Sequence, residues 1–346
     1  MRALVMEQFN QGKIHPDRPV PKPKSDEVLV KVSHVALNPC DWKHLDSMGN
    51  PNATLGCDFS GTVESVGDDC LTLKAGDKVC GMIHGGKLPE RGSFAEYLVT
   101  KGECAMKIPS GMSDADAATF GVGYFTAAMA VFHAQGYKYP PAEQKDGWFL
   151  VSGGSTSVGL FVLSLLRQLG VKAIATASPR SFELVKSYGA DHVVDYHNRD
   201  AALEEIKKVT GGGVVGGLEC VGGDDNYFVA INSFVKEGGL LTTITEIPDG
   251  AGEIREEVKI GQFGIFTVCG YSFEMLPGLP WLPAIPEDKA WYIDFIKRSQ
   301  GDSGFLSSTK PNPVELRPGD LDGIAEGMDL IRQDKVSGKK LVYQIA

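Results

Sequence analysis

Apolar and polar residues change period along this chain, and the change divides it. Up to about Pro109 apolar positions come in short alternating runs: Val28, Val30 and Val32 alternate with Leu29, Lys31 and Ser33, and 61–66 repeats the pattern. Turn residues at Gly67-Asp68-Asp69, Gly76-Asp77 and Gly85-Gly86 punctuate this part, which predicts a small, partly open β-barrel. An apolar-rich stretch, 114–134, interrupted at Gly121-Val122-Gly123, predicts helices, and 137–147, with Pro140-Pro141, predicts a loop. Beyond it strand-length and helix-length apolar runs alternate. Strands are expected at 148–151, 171–177, 192–196, 214–220 and 240–244, with helices at 158–169, 182–188, 201–209 and 226–235 between them. Such alternation needs right-handed crossovers and makes a parallel sheet covered on both faces, a doubly wound α/β domain. After a proline-rich stretch (277–283), helices at 289–298 and 321–332 and a strand at 340–344 are assigned back to the barrel. The expected domains are therefore 1–120 with 286–346, and 121–285 between them.

Composition narrows the function more than the fold. The chain has 346 residues, long for one core, with 23% charged and 42% hydrophobic residues, as in an ordinary globular protein. Its 34 Lys+Arg against 44 Asp+Glu leave a net charge of −10, which opposes non-specific nucleic-acid or anionic-membrane binding. No apolar leader and no run of eighteen apolar residues is found, so no membrane span is expected and a cytoplasmic address follows by default. Seven scattered cysteines contain no C-x-x-C pair; reduced thiols and no structural zinc lobe are expected.

The stretch with candidate chemistry is Val151-Ser152-Gly153-Gly154-Ser155-Thr156-Ser157-Val158-Gly159, between the first strand and the first helix of the alternating part. Small residues there allow a tight turn and close approach of a phosphate, to which a helix N-terminus offers N–H groups and its dipole. A plain turn is the competing reading, since the spacing departs from G-x-G-x-x-G. A phosphate loop of the nucleotide-hydrolase kind would end in Gly-Lys-Ser/Thr, and a nucleophile elbow would read G-x-S-x-G; neither is present. About 20 residues on, where an acidic residue would bind both ribose hydroxyls of NAD, stands Ser178-Pro179-Arg180-Ser181. Hydroxyls and a guanidinium suit a 2′-phosphate, which favours NADPH. Ser178 is also open to a role as a helix cap before Pro179, and Tyr196 either approaches the ribose or simply packs.

Taken together, Asn38-Pro39-Cys40-Asp41-Trp42-Lys43, Gly56-Cys57-Asp58-Phe59-Ser60-Gly61, Gly76-Asp77-Lys78-Val79, Gly92-Ser93-Phe94-Ala95-Glu96-Tyr97 and the Gly-rich turn resemble the medium-chain dehydrogenase/reductase superfamily. The branch most similar is the zinc-independent, quinone oxidoreductase-like one, and within it the fungal enoyl reductases that act in trans. The resemblance implies a Rossmann cofactor domain plus a GroES-like, partly open β-barrel catalytic domain. Zinc-dependent relatives place Cys where this chain has Asn38 and Gly-His-Glu where it has Gly56-Cys57-Asp58, so no catalytic metal is expected.

The activity so implied is hydride transfer from NADPH to the activated C=C of an enone, enal or enoyl thioester, with quinone reduction or non-catalytic NADPH binding as alternatives. Cofactor contacts are expected from Asn38, Asp41 and Lys43, from Gly154, Ser155, Thr156, Ser157 and Val158, from Ser178, Arg180 and Tyr196, from Thr243 and Ile244, and from Val336 and Ser337. Lys43 and Tyr124 are the catalytic candidates, Lys43 competing with a surface pair to Asp41. Tyr124, Phe125, Thr126 and Phe266 are expected to line the substrate. Residues 264–270 resemble a strand that pairs across dimers in relatives; monomer and homodimer both stay open. The expected partner is a small-molecule substrate, free or presented by a synthase.

Overall fold

The computed structural model describes residues 1–345. Contacts group the chain into two compact units, Met1–Phe125 with the chain from Phe266 onward, and Thr126–Ile265. The expected limits were 120/121 and 285/286.

In the first unit the strands are, in chain order, β1 (Ala3–Gln8), β2 (Gln11–His15), β3 (Glu27–Ala36), β4 (Asp58–Val66), β5 (Lys78–Met82), β6 (Tyr97–Lys101) and β7 (Ala105–Lys107). The second unit supplies β8 (Trp148–Ser152), β9 (Lys172–Ala177), β10 (His192–Asp195), β11 (Gly216–Glu219), β12 (Gly239–Thr243) and β13 (Val258–Gln262). The chain then returns to the first unit with β14 (Phe273–Glu274), β15 (Trp281–Leu282), β16 (Val314–Arg317) and β17 (Lys340–Gln344).

Alternation along β3 and β4 sends Val28, Val30, Val32, Phe59 and Val63 into one core with Leu98, Leu341 and Tyr343. Their sheet runs β16-β17-β3-β4-β5-β7, with β6 on β3 and no closure into a full barrel. The last strand is interior to that order: Val342 pairs with Ala36 on one side, and Leu341 with Glu315 on the other. The expected strand at 264–270 is instead a 3-10 helix, Ile265–Cys269, and the sequence after it makes a short hairpin, Phe273 pairing with Leu282. Gly270 (φ 73) turns the chain from one into the other.

The second unit is a six-stranded parallel sheet in the order β10-β9-β8-β11-β12-β13. β13 is absent from the sequence-based expectation because only Val258 of its five residues is buried, as befits an edge strand. The helix Ser157–Gln168 buries eight consecutive residues, Gly159 to Leu166, while Arg199–Thr210 buries only Ala202 and Ile206. Leu150, Ile174, Val194 and Leu241 of the strands meet Ile206, Tyr227 and Ile231 of the helices in the core. Strand order reverses between β8 and β11, and register sets Ser152 beside Glu219 and Glu219 beside Thr243 at the carboxyl ends. That reversal opens the crevice in which doubly wound sheets take ligands.

Candidate functional site

At the carboxyl end of β8 the chain turns at Gly153, whose φ of 84° and whose hypothetical Cβ, 2.4 Å from Val221 Cγ2, admit only glycine. Gly159, one turn into the helix, similarly stands against the Gly153 carbonyl, where a Cβ would lie 2.3 Å away. Helix and turn are thus packed backbone on backbone. Gly153 and Gly154 donate their N–H groups to Thr176 Oγ1 (3.0 Å) and Thr176 O (2.8 Å), which pins the turn to β9. Thr156 is the helix N-cap: its hydroxyl accepts from Gly159 N (3.0 Å) and donates to Gly153 O (2.8 Å). Its side chain therefore builds the loop, while Ser155, Thr156, Ser157 and Val158 remain half-exposed around the helix start, where first-turn N–H groups favour an anion.

At the end of the neighbouring β9, Ser178 opens a short 3-10 turn (Pro179–Ser181) without a side-chain cap bond, so the capping alternative is not realised. Arg180 is exposed, and no acidic side chain pairs with it among the described residues. Tyr196, after β10, is exposed and stacks on His197 at 4.5 Å. Thr243, at the end of β12, is buried and accepts from Tyr227 OH (2.6 Å), and Ile244 donates its N–H to Glu219 O (3.4 Å). The expected nucleotide contacts of the second unit, Gly154 to Val158, Ser178, Arg180, Tyr196, Thr243 and Ile244, thus gather at one end of its sheet.

Glu219 was not anticipated. It is buried at the strand-order reversal and accepts from the N–H groups of Val221 and Gly222, the latter at 2.7 Å. Burial raises its pKa, with the Ser152 hydroxyl and these amides acting against that rise.

The first unit holds a different kind of constellation. Lys340 Nζ, almost fully buried, donates to Asp58 Oδ2 and to Asn38 Oδ1, each at 2.6 Å. Asp58 Oδ1 in turn accepts from Val122 N (2.7 Å). Asn38 and Asp41 form a capping box on the helix Pro39–Lys43, with Asn38 N donating to Asp41 Oδ2 at 2.7 Å. Burial, then the charge of Asp58, raises the Asp41 carboxyl to about 7. Lys43 is exposed and lies 5.7 Å over the Trp42 ring; the alternative pair with Asp41 does not form. Val336 packs on the core and Ser337 is exposed.

Beside this, His44 Nδ1 lies 2.7 Å from Cys40 O, His44 Nε2 lies 3.3 Å from His84 Nε2, and His84 Nδ1 lies 2.9 Å from Tyr271 OH. Burial lowers the His44 pKa to about 4 and that of His84 well below its usual value, so both rings are neutral. Phe266, expected against substrate, stacks on His84 at 3.9 Å. Tyr124, expected to donate a proton, is fully buried; its hydroxyl donates to Ser299 Oγ at 3.4 Å, and its ring packs on Phe120, Phe125 and Phe295. Phe125 is equally buried against Tyr292, and Thr126 is buried. These three are packed rather than presented.

The position at which zinc-dependent relatives carry a cysteine does not fit a catalytic ion here. The Asn38 amide oxygen is held by Lys340, and a buried ammonium at that point repels a dication.

Similarity to known proteins agrees with this architecture. The alcohol dehydrogenase GroES-like domain model matches residues 24–110, and the zinc-binding dehydrogenase model matches residues 157–262. The trans-enoyl reductase RAP2 of Pyricularia oryzae is 34% identical over 99% of this chain and 98% of its own length. Among solved structures, an alcohol dehydrogenase superfamily protein from Novosphingobium aromaticivorans superposes with a TM-score of 0.82 at 18% identity, covering 100% of both chains. A mycobacterial protein determined in complex with NADPH gives 0.73 at 19% identity over 99% of each chain. With a relative this similar along its full length and both domain models in order along the sequence, the chain belongs to the enoyl reductases of the medium-chain dehydrogenase/reductase family.

Proposed function

We propose that this reductase uses NADPH to reduce an activated C=C, its acceptor being an enone, an enal or an enoyl thioester presented by a synthase. The observation that carries the cofactor choice is Arg180, exposed at the carboxyl end of β9 without an acidic partner, next to Ser178. A 2′-phosphate placed there gains a charge-assisted, bidentate contact, whereas NADH would leave the guanidinium unused. The pyrophosphate is taken at the helix start around Ser155 to Val158, with Gly154 and Thr156 holding that loop in shape. NADPH supplies the hydride when bound.

The acceptor carbonyl must be polarised as the enolate forms. Lys43, exposed on a helix whose start is fixed by the Asn38–Asp41 box, offers an ammonium for that purpose without a Lewis acid. The α-carbon takes its proton from water.

The deciding experiment is an acceptor panel of enones, enals, enoyl thioesters and quinones, run with NADPH and with NADH. NADPH-linked turnover of the unsaturated carbonyls is expected; turnover of quinones alone would replace the acceptor class, and no oxidation of NADPH by any of them would end the enzymatic reading. Arg180→Asp should weaken NADPH about 10- to 100-fold, the loss of one strong charge-assisted hydrogen bond, and leave NADH nearly unchanged. Equal losses for both cofactors would refute the assignment of Arg180.

A further inference from the structure

Lys43 has an acidic neighbour that it does not use. The helix Pro39–Lys43 runs without a break into the π-turn His44–Met48, which puts Asp46 three residues beyond Lys43 on one helical run. Side chains at that spacing are neighbours, and a lysine and a carboxylate so placed commonly pair. Lys43 nevertheless makes no ion pair among the described residues; it is exposed, with its ammonium 5.7 Å over the Trp42 ring.

Asp46 is taken from elsewhere. Arg332, the last residue of the helix Ile324–Arg332, donates from Nε to Asp46 Oδ2 at 3.0 Å and from Nη2 to Asp46 Oδ1 at 2.8 Å, so one planar fork engages both carboxylate oxygens. Its third nitrogen, Nη1, donates to Asp329. The guanidinium lies 5.6 Å over the indole of Trp42, the ring that Lys43 also overlies. Two cations therefore share one ring, and only one of them holds the carboxylate. The outcome follows from their shapes: a guanidinium meets a carboxylate through two parallel N–H bonds, whereas an ammonium on a flexible stem meets it as a point charge.

We propose that Arg332 is a positioning residue for the reduction: by occupying Asp46 it keeps the Lys43 ammonium free to meet the acceptor carbonyl. The inference rests on the role given to Lys43 above. A lysine paired with a carboxylate on its own helix is drawn along that helix, and its charge is partly answered before any substrate arrives. Without Arg332, Asp46 is a bare carboxylate in the pairing position for Lys43. The arginine touches neither substrate nor cofactor; it acts by removing a competitor. Asp46 matters to the reaction only when Arg332 is missing, and this separates the proposal from a plain tie between two segments.

The test is steady-state kinetics on the full-length chain with NADPH and the fastest unsaturated carbonyl of the acceptor panel, the folding of each variant being checked by its Tm. Lys43→Met should lower kcat; an unchanged kcat would remove the role of Lys43 and this proposal with it. Arg332→Met should lower kcat about 10- to 100-fold, the scale of a misdirected group, with KM for NADPH within about twofold of wild type. Asp46→Asn alone should turn over close to wild type. Asp46→Asn added to Arg332→Met should restore most of the lost kcat, because no carboxylate is left to hold Lys43. A plain tie gives the opposite pattern: each single variant loses kcat alike and the double variant stays low. That pattern, or wild-type kcat in Arg332→Met beside a slow Lys43→Met, would overturn the proposal and leave the role of Lys43 standing. Should Arg332→Met fail to fold, Arg332→Gln, which offers Asp46 donor N–H groups without a charge, should show the same loss and the same restoration by Asp46→Asn; absence of either would refute the proposal.

Discussion

The two units prepare their candidate site residues in opposite ways. At the carboxyl end of the parallel sheet the second unit works through backbone: a turn that only glycine can make, a capped helix start, and side chains left half-exposed around it. The first unit works through buried charge: Lys340 compensates Asp58 and holds Asn38, out of contact with water. A backbone cradle costs little to build and tolerates changes in the side chains around it. A buried ion pair costs desolvation on both sides, and removing either partner leaves the other charge uncompensated.

The largest effect follows from that asymmetry. Lys340→Met should cost about 3–5 kcal/mol in urea unfolding, and adding Asp58→Asn should return part of the loss, because the Val122 N–H keeps its acceptor. A single variant within about 1 kcal/mol of wild type, the range of an exposed pair, would erase the contrast between the units. On the other side, Arg180→Asp should leave stability within about 0.5 kcal/mol while, on the proposed assignment, discriminating between the cofactors, since an exposed residue with no partner adds little to the fold. Thr156→Ala should cost about 1 kcal/mol through the lost cap, with Thr156→Ser close to wild type. NADPH affinity falling more steeply for the alanine variant than its stability does would mean that the hydroxyl touches the cofactor as well.

The smallest effect is one of pH. Glu219 has its pKa raised by burial, so the folded chain keeps that proton at pH values where the unfolded chain has already released it. Its contribution to stability therefore falls as pH rises from the ordinary glutamate range through the raised native value. Glu219→Gln retains an acceptor for the Val221 and Gly222 amides and should gain on wild type with increasing pH. Parallel stability–pH curves for the two proteins would show that Glu219 ionises as an ordinary carboxylate.

How much of this was legible in the sequence follows the same division. The Gly-rich turn, the serine and arginine after β9 and the alternation of strands and helices are local signals, because backbone geometry restricts the residue types at short spacing. The helix Phe182–Tyr188 and the strand Lys340–Gln344 were placed to the residue. What escaped was assembled from a distance. Lys340 meets a partner 282 positions away and reads as one more lysine in a C-terminal strand. Tyr124 carried a phenol in a suggestive stretch, but an aromatic residue beside Phe120 and Phe125 is drawn inward, and the structure buries it. Scattered cysteines and histidines gave no spacing to recognise, since Cys40 and His44 meet Cys57 only in the folded chain.

The interior place of β17 has a consequence for how the protein is made. Ribosomes deliver residues in order, and the second unit, one uninterrupted stretch of chain, is complete well before the last strand emerges. The unit that is begun first is finished last: until Lys340 arrives, β3 lacks one neighbour and Asp58 lacks its counter-charge. A nascent chain stalled short of that lysine would carry a folded nucleotide-binding half on an unfinished catalytic one, open at a sheet edge, and is the form of this protein most in need of a chaperone.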